Sequence, residues 1–148
     1  MSLKETRILA TLLSTIVVFT VFQINVIGKY DDGWFAGPDG GELIAQAILW
    51  LIGIQIGATI LIQILATIAV AIATRQEERD IMDERDKLIE LRALRFSFVI
   101  VGIGIVGSLI AMATGSELFW VFNAIIIAMT LGDLSGNALR LRLYRRGF

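Results

Sequence analysis

Apolar residues in this chain are gathered into four long runs separated by short polar segments. The runs cover residues 8–28, 43–74, 96–115 and 118–139, and they hold 21, 32, 20 and 22 residues. A helix needs about 20 apolar residues to cross the hydrocarbon core of a bilayer. None of the runs contains Lys or Arg, and one acid, Asp133, stands inside them. The pattern predicts an all-α polytopic membrane protein, a four-transmembrane-helix bundle that forms a single domain over residues 1–148.

Composition narrows the range of functions. The chain has 148 residues, of which 56% are hydrophobic, and its mean hydropathy is +0.76. A soluble domain of this size would expose much of that apolar surface to water. The chain contains neither His nor Cys, so disulfides, thiol catalysis and His-based metal or acid–base chemistry are excluded. We therefore expect a non-enzymatic protein with no cofactor and no metal site.

The distribution of basic residues predicts the orientation in the membrane. Twelve Lys and Arg residues lie before the first run, between the second and third runs, and after the fourth, whereas Lys29 is the one base on the other side. Basic residues collect on the cytoplasmic side of membrane proteins. Both termini and the segment 75–95 are therefore predicted to be cytoplasmic.

The segment from Arg75 to Arg95 is charged and contains neither Gly nor Pro. We predict a cytoplasmic helical segment there, with opposite-charge pairs at helical spacing joining Arg79, Asp83 and Lys87, and Lys87 to Glu90. The candidate motif residues in this segment are Asp83, Glu84, Arg85, Asp86, Glu90, Arg92 and Arg95. Three of its acids, Asp83, Asp86 and Glu90, are the set that would serve a lipid-acting enzyme using magnesium. The interspersed bases favour an ion-pair network instead.

The same segment carries a family resemblance. The stretch Asp83-Glu84-Arg85-Asp86-Lys87-Leu88-Ile89-Glu90-Leu91-Arg92-Ala93-Leu94-Arg95 resembles the signature of a prokaryotic family of integral membrane proteins of unknown function. That signature reads DERD-x-x-I-E-x-(R/K)-A-x-R and precedes the third of about four spans. The resemblance covers roughly residues 75–145. It implies the fold and a membrane location, and it carries no activity.

Two spans contain polar residues at helical spacing. Span two has Gln55, Thr59, Gln63 and Thr67, and span four has Asn123, Thr130, Asp133 and Asn137. Each set falls on one helix face, so we expect the two seams to face each other. The candidate intramembrane polar site is Asp133, Asn123, Thr130, Asn137, Gln55 and Gln63. Such seams serve either as interhelical hydrogen bonds or as a hydrated path or ligand site.

Asp133 is the strongest candidate because ionisable residues inside membranes are costly and usually functional. It should face the bundle and be either protonated or paired. The expected partner is Arg95 or Arg140, with the polar seam of span two as second choice.

Glycines recur at close spacing in three spans. Gly102, Gly104 and Gly107 match the dinucleotide-binding pattern literally, but that fingerprint requires a strand, a turn and a helix, whereas these glycines lie inside an apolar run. Small residues let membrane helices approach closely. The same interpretation applies to Gly53 and Gly57, and to Gly132 and Gly136. They pack either within the bundle or between subunits.

The sequence supports two main hypotheses on function. The first is a membrane module that oligomerises or binds a cytoplasmic protein partner. The alternative is a small oligomeric ion or solute transporter or channel that uses Asp133 and the polar seams. The basic C-terminal stretch Arg140–Arg146 is expected to bind anionic lipid of the bilayer, and no nucleic-acid role is expected. The predicted location is the plasma membrane of a prokaryote, as a multi-pass protein.

Overall fold

Four long helices make up the described part of the chain. The computed structural model describes residues 3–74 and 83–146. Its helices are α1 (Leu3–Asp31), α2 (Gly40–Thr74), α3 (Glu84–Ala113) and α4 (Leu118–Arg146). Each helix is long and apolar enough to cross a membrane, which confirms the four-helix, all-α architecture. The fold is thus compatible with a multi-pass membrane protein.

The helices run past the ends of their apolar runs. The first twelve residues of α3, most of them charged, precede its apolar run, which starts at Phe96. The helix α4 continues beyond its apolar run through Arg140 and Tyr144. At about 1.5 Å per residue, the 35 residues of α2 exceed the roughly 30 Å hydrocarbon core. The helices are therefore longer than a bilayer core is thick, and their charged side chains lie near their ends.

The helix α4 is the centre of the bundle. It packs along α3 over most of its length and also contacts α1 and α2, while α1 and α2 pack against each other. The start of α1 and the end of α4 lie at one end of the bundle, where Arg145 Nε is 3.9 Å from Glu5 Oε1. We call this the terminal end; it comprises residues 3–7, 83–90 and 140–146. The opposite loop end comprises residues 31–39 and 114–117.

Three glycines explain the close contact between α3 and α4. A Cβ atom at Gly104 would collide with Ala128, one at Gly132 with Val101, and one at Gly136 with Ser97. The Ser97 hydroxyl also donates a hydrogen bond to the backbone carbonyl of Gly132. Small residues that admit a neighbouring helix are the usual interface of membrane bundles. The packing interpretation holds for these three positions.

The remaining glycines of the spans do not pack within the bundle. At Gly53, Gly57, Gly102 and Gly107, a Cβ atom would have nothing within 4 Å, and all four residues are exposed. The sequence predicts that these glycines pack either within the bundle or between subunits. Packing within the bundle is wrong at these four positions. They lie on the outer surface of α2 and α3.

Aromatic side chains close the loop end. The rings of Tyr30 and Phe119 stack with centroids 4.2 Å apart, and Trp120 meets Tyr30 edge-on at 5.1 Å. The Tyr30 hydroxyl donates to Glu117 Oε2 at 2.7 Å and accepts from Trp120 Nε1 at 3.2 Å. Phe119 also belongs to a buried cluster with Val26 and Ile44. This end of the bundle is consequently packed with apolar groups.

The predicted cytoplasmic helix over residues 75–95 is corrected at its start. Residues 75–82, including Arg79, lie outside the described residues. Asp83 is not helical: its φ of −81° and ψ of 161° are extended, and it is the N-cap of α3. The chain thus enters α3 at Glu84. An Asp that accepts hydrogen bonds from the exposed amides of a first turn stabilises a helix start, and this overrides the helical charge spacing.

Large apolar side chains point outward along all four helices. Trp50 and Ile72 are each 74% exposed, and Phe98 is 68% exposed. In water, contiguous apolar surface of this extent is unfavourable; in a bilayer the same side chains contact lipid. The outer surface therefore fits the hydrocarbon interior rather than an aqueous environment.

Labelling of single cysteines tests the orientation. The chain contains no Cys, so each variant carries one reactive thiol. We expect an impermeant maleimide added outside intact cells to label Asp32→Cys and Ser116→Cys but not Lys87→Cys or Arg142→Cys, because the basic segments stay inside. Permeabilised cells control for reactivity, and labelling of the second pair alone in intact cells would contradict the topology.

Candidate functional site

A cavity of about 510 Å³ opens between all four helices at the terminal end. We call it the polar cavity. It is lined by Lys4, Arg7, Ile8, Thr11, Thr59, Gln63, Asp86, Glu90, Asp133, Asn137, Arg140 and Tyr144. Its size is typical of small-molecule sites, which span about 300–1,000 Å³. Unlike most of those sites, it is lined almost entirely by residues that carry a polar or charged group, Ile8 being the exception.

The polar lining follows from helical spacing. Gln63 belongs to the seam of span two, and Asp133 and Asn137 belong to that of span four, so residues of both seams line one cavity. The helix α1 contributes a third polar seam that sequence reasoning missed. Its members are Lys4, Arg7, Thr11 and Thr15, at offsets of 3, 7 and 11 residues from the first. These offsets fall on one helix face, so the signal was present in the sequence.

Asp133 lies where the helices meet. Thr15 Oγ1 donates a hydrogen bond to its Oδ2 at 3.2 Å, and Asn137 Nδ2 donates to its Oδ1 at 3.0 Å. Gln55 Nε2 donates in turn to Thr15 Oγ1 at 3.0 Å. The carboxylate is therefore linked to α1 directly and to α2 through one hydroxyl group. Although Asp133 is exposed, its accessible atoms line cavities between helices.

The prediction that Arg95 or Arg140 pairs with Asp133 is wrong. Arg95 is exposed on the outer surface, and neither Arg95 nor Arg140 lies within 4.0 Å of the Asp133 carboxylate among the described residues. The second choice, the seam of span two, is reached only by way of Thr15. The reason is the position of α1, whose polar face lies against α4 at this level and supplies a closer donor.

Polar groups continue from Asp133 towards the loop end. A smaller cavity of about 190 Å³ is lined by Thr15, Gln55, Thr130 and Asp133 together with apolar side chains. Asp133 also lines the polar cavity, so the two cavities adjoin at this carboxylate. Ten residues before Asp133, the buried Asn123 accepts a hydrogen bond from Gln23 Nε2 at 2.9 Å. Beyond that pair the packed aromatic groups close the bundle.

Asp86 is the buried acid of the charged motif. Its Oδ2 accepts a hydrogen bond from the Asp83 backbone amide at 3.1 Å, which completes a capping box with the N-cap residue. The ammonium group of Lys4 forms an ion pair with the same oxygen, and Tyr144 lies beside the carboxylate. This pair joins the starts of α1 and α3. Asp86 lies ten residues before the apolar run of α3 and thus outside the run predicted to cross the hydrocarbon core. The hydrogen bond from Lys4 lowers the pKa of Asp86.

The other residues of the motif have different surroundings. Glu84, Arg85 and Arg95 are exposed, as is Arg92, whereas Glu90 is half-buried and lines the polar cavity. The expected pairs of Lys87 with Asp83 and with Glu90 do not form within 4.0 Å in the described chain. The motif is thus a helix cap with one buried acid, rather than a continuous ion-pair network.

Arg140 is separated from the rest of the basic C-terminal stretch. It lines the polar cavity, and its Nε is buried with no hydrogen-bond partner among the described residues. Arg142 is exposed, and Arg145 approaches Glu5. An unsatisfied buried donor is costly unless a partner is supplied. Arg140 therefore belongs to the cavity, while Arg142 and Arg145 remain at the surface.

The fold and the cavity define a four-helix bundle of membrane-spanning character with a mixed-charge cavity at one end. Within residues 3–74 and 83–146, no group of three or more acids could hold a metal ion. No protein family, no curated protein and no solved structure shows a significant match to this chain. The resemblance of the Asp83–Arg95 segment to the DERD family stays a prediction.

Proposed function

We propose that this protein is a non-enzymatic, multi-pass membrane protein that binds a small polar solute or ion in the polar cavity and moves it across the bilayer as an oligomeric transporter or channel. One observation carries the proposal: charged side chains from α1, α3 and α4 line a single cavity inside a bundle whose outer surface is apolar. Partial burial of charges has a cost, and a purely structural bundle gains nothing from leaving space between them.

The position of Asp133 supports the same function. It stands at the junction of the two adjoining cavities, held by neutral donors from Thr15 and Asn137. A carboxylate held by neutral groups keeps its charge available to a ligand, whereas one neutralised by Arg would not. The packed loop end closes one side, so access in this conformation is from the terminal end.

We also propose that the protein lies in the plasma membrane and contacts anionic lipid. The basic asymmetry supports a plasma membrane with the terminal end in the cytoplasm, so the polar cavity would open to the cytoplasm. The exposed side chains of Arg142 and Arg145 suit the anionic lipid of the inner leaflet, at about 1 kcal/mol for each base near the surface.

Flux into proteoliposomes tests the transport function. We expect the wild-type protein to carry protons, measured with an entrapped pH dye, or a labelled solute from a panel of inorganic ions and amino acids. Asp133→Asn keeps the size and shape of the side chain but removes its charge, so flux should fall to the level of protein-free liposomes. Asp39→Asn, an exposed acid of the loop end, is the matched control and should retain flux.

A second candidate function is an oligomerising or partner-binding module. The open face around Gly53 and Gly57 of α2 favours it, because a Cβ at either position meets nothing in this bundle and such faces associate closely in membranes. Sedimentation equilibrium in detergent should show an oligomer that Gly57→Ile converts to a monomer, while Gly107→Ile does not. A wild-type monomer would remove this candidate.

A further inference from the structure

The charges of the polar cavity balance. Its bases are Lys4, Arg7 and Arg140, and its acids are Asp86, Glu90 and Asp133. Lys4 and Asp86 are satisfied by each other at the mouth of the cavity. Arg7 donates a hydrogen bond to Thr67 Oγ1 at 2.8 Å, while Arg140 offers a guanidinium group and Asp133 a carboxylate to the cavity.

Arg140 and Asp133 have opposite charges but do not neutralise each other. They are seven residues apart on α4, which is two turns, or about 10 Å along the helix axis. Both line the same cavity, yet their charged atoms are more than 4.0 Å apart. The Nε of Arg140 is buried without a hydrogen-bond partner, and no acid of the described residues lies within 4.0 Å of the Arg140 guanidinium group, whereas Asp133 accepts hydrogen bonds from the neutral donors Thr15 and Asn137.

We propose that the ligand of the polar cavity is a small zwitterion of the amino-acid type, whose carboxylate binds Arg140 and whose ammonium group binds Asp133. This inference rests on the proposed function, since it names the class of solute. A guanidinium group presents a planar fork that matches a carboxylate with two hydrogen bonds. The carboxylate of Asp133 is an acceptor for the donors of an ammonium group.

Charge balance selects the zwitterion over simple ions. A net anion or cation would leave an uncompensated charge in a partly buried site, which is costly. An uncharged solute would leave Arg140 and Asp133 without charged partners. A molecule with both charges satisfies both ends of the cavity, and the cavity of about 510 Å³ is large enough for a small amino acid.

Calorimetry on the purified full chain in detergent tests this assignment. The probes are glycine, β-alanine and γ-aminobutyrate, which separate the two charges by increasing distances, with acetate and methylammonium as single-charge probes. We expect at least one zwitterion to bind saturably, and the single-charge probes to bind about tenfold or more weakly, because each loses one charged contact. Arg140→Gln and Asp133→Asn should each weaken the zwitterion by about tenfold or more.

Arg142→Gln is the matched control, because Arg142 lies on the same helix but is exposed; it should bind the zwitterion as the wild type does. Arg140→Lys serves if Arg140→Gln does not fold, and should weaken binding because the two-bond fork is lost. Absence of zwitterion binding, equal binding of acetate or methylammonium, or unchanged binding in the Arg140 variant overturns the inference. Ion flux without zwitterion binding would refute the zwitterion as ligand but support the transport function. Zwitterion binding without flux would support the ligand and contradict the transport function.

Discussion

Replacing Gly104 by Leu is expected to lower the free energy of unfolding by about 3 kcal/mol, the upper end of the usual cost of overpacking. Even a Cβ atom at this position would collide with the Cβ of Ala128, and the α carbon of Ala128 lies just behind it. No flexible side chain can move aside, so α3 and α4 would have to separate. Because α4 is the helix that contacts all the others, the whole bundle should loosen. Unfolding in mixed detergent micelles, followed by circular dichroism, measures the change.

Two further variants separate this clash from general effects of substituting glycine. Gly107→Leu places the same side chain on the same helix where nothing lies within 4 Å, so stability should stay within about 1 kcal/mol of the wild type. The double variant Gly104→Ala/Ala128→Gly removes the Cβ of Ala128 with which the new Cβ at position 104 would collide. It should recover most of the stability lost by Gly104→Ala alone. Equal losses in Gly104→Leu and Gly107→Leu would show that α3 and α4 do not pack here.

Asp86→Ala is expected to destabilise the protein by about 2–4 kcal/mol, from the loss of a helix cap and of a charged hydrogen bond. The substitution removes the acceptor for the Asp83 amide and leaves Lys4 without its carboxylate. The control is Glu84→Ala, two residues earlier in the same turn and exposed, for which the change should be about 0.5 kcal/mol. Equal stability of the two variants would contradict the capping role of Asp86.

The contribution of Asp86 should also depend on pH. The hydrogen bond from Lys4 lowers the pKa of Asp86 below its ordinary value of 3.8 in the folded protein. A carboxylate of this kind stabilises the fold at pH values above its unfolded pKa, and the stability is lost as the pH falls through the folded pKa. The difference between wild type and Asp86→Ala should therefore shrink between about pH 5 and about pH 2. A constant difference over that range would show that Asp86 acts without its charge.

How far the sequence predicts the site can be judged from its polar residues. Asp133, Asn137, Gln55 and Gln63 were found because a polar residue inside an apolar run is conspicuous and helical spacing shows its face. The third seam, on α1, has the same spacing, but Lys4 and Arg7 stand before the first apolar run, where basic residues also serve as topology signals. The capping box of Asp83 and Asp86 was also readable, as a helix-start pattern, but the surrounding charges favoured ion pairs.

The sequence by itself determined the four helices and that each is long and apolar enough to span a membrane, because runs of about 20 apolar residues match the thickness of a bilayer core. It also determined which helix faces are polar. Only the tertiary structure decided the partners: that Thr15, rather than an arginine, reaches Asp133, and that Gly104 packs inside the bundle while Gly107 stays outside. Helical periodicity gives the direction of a side chain about its own axis, but the neighbour in that direction depends on helix order and axial shift. Those are decided by packing among all four helices, which no single helix encodes.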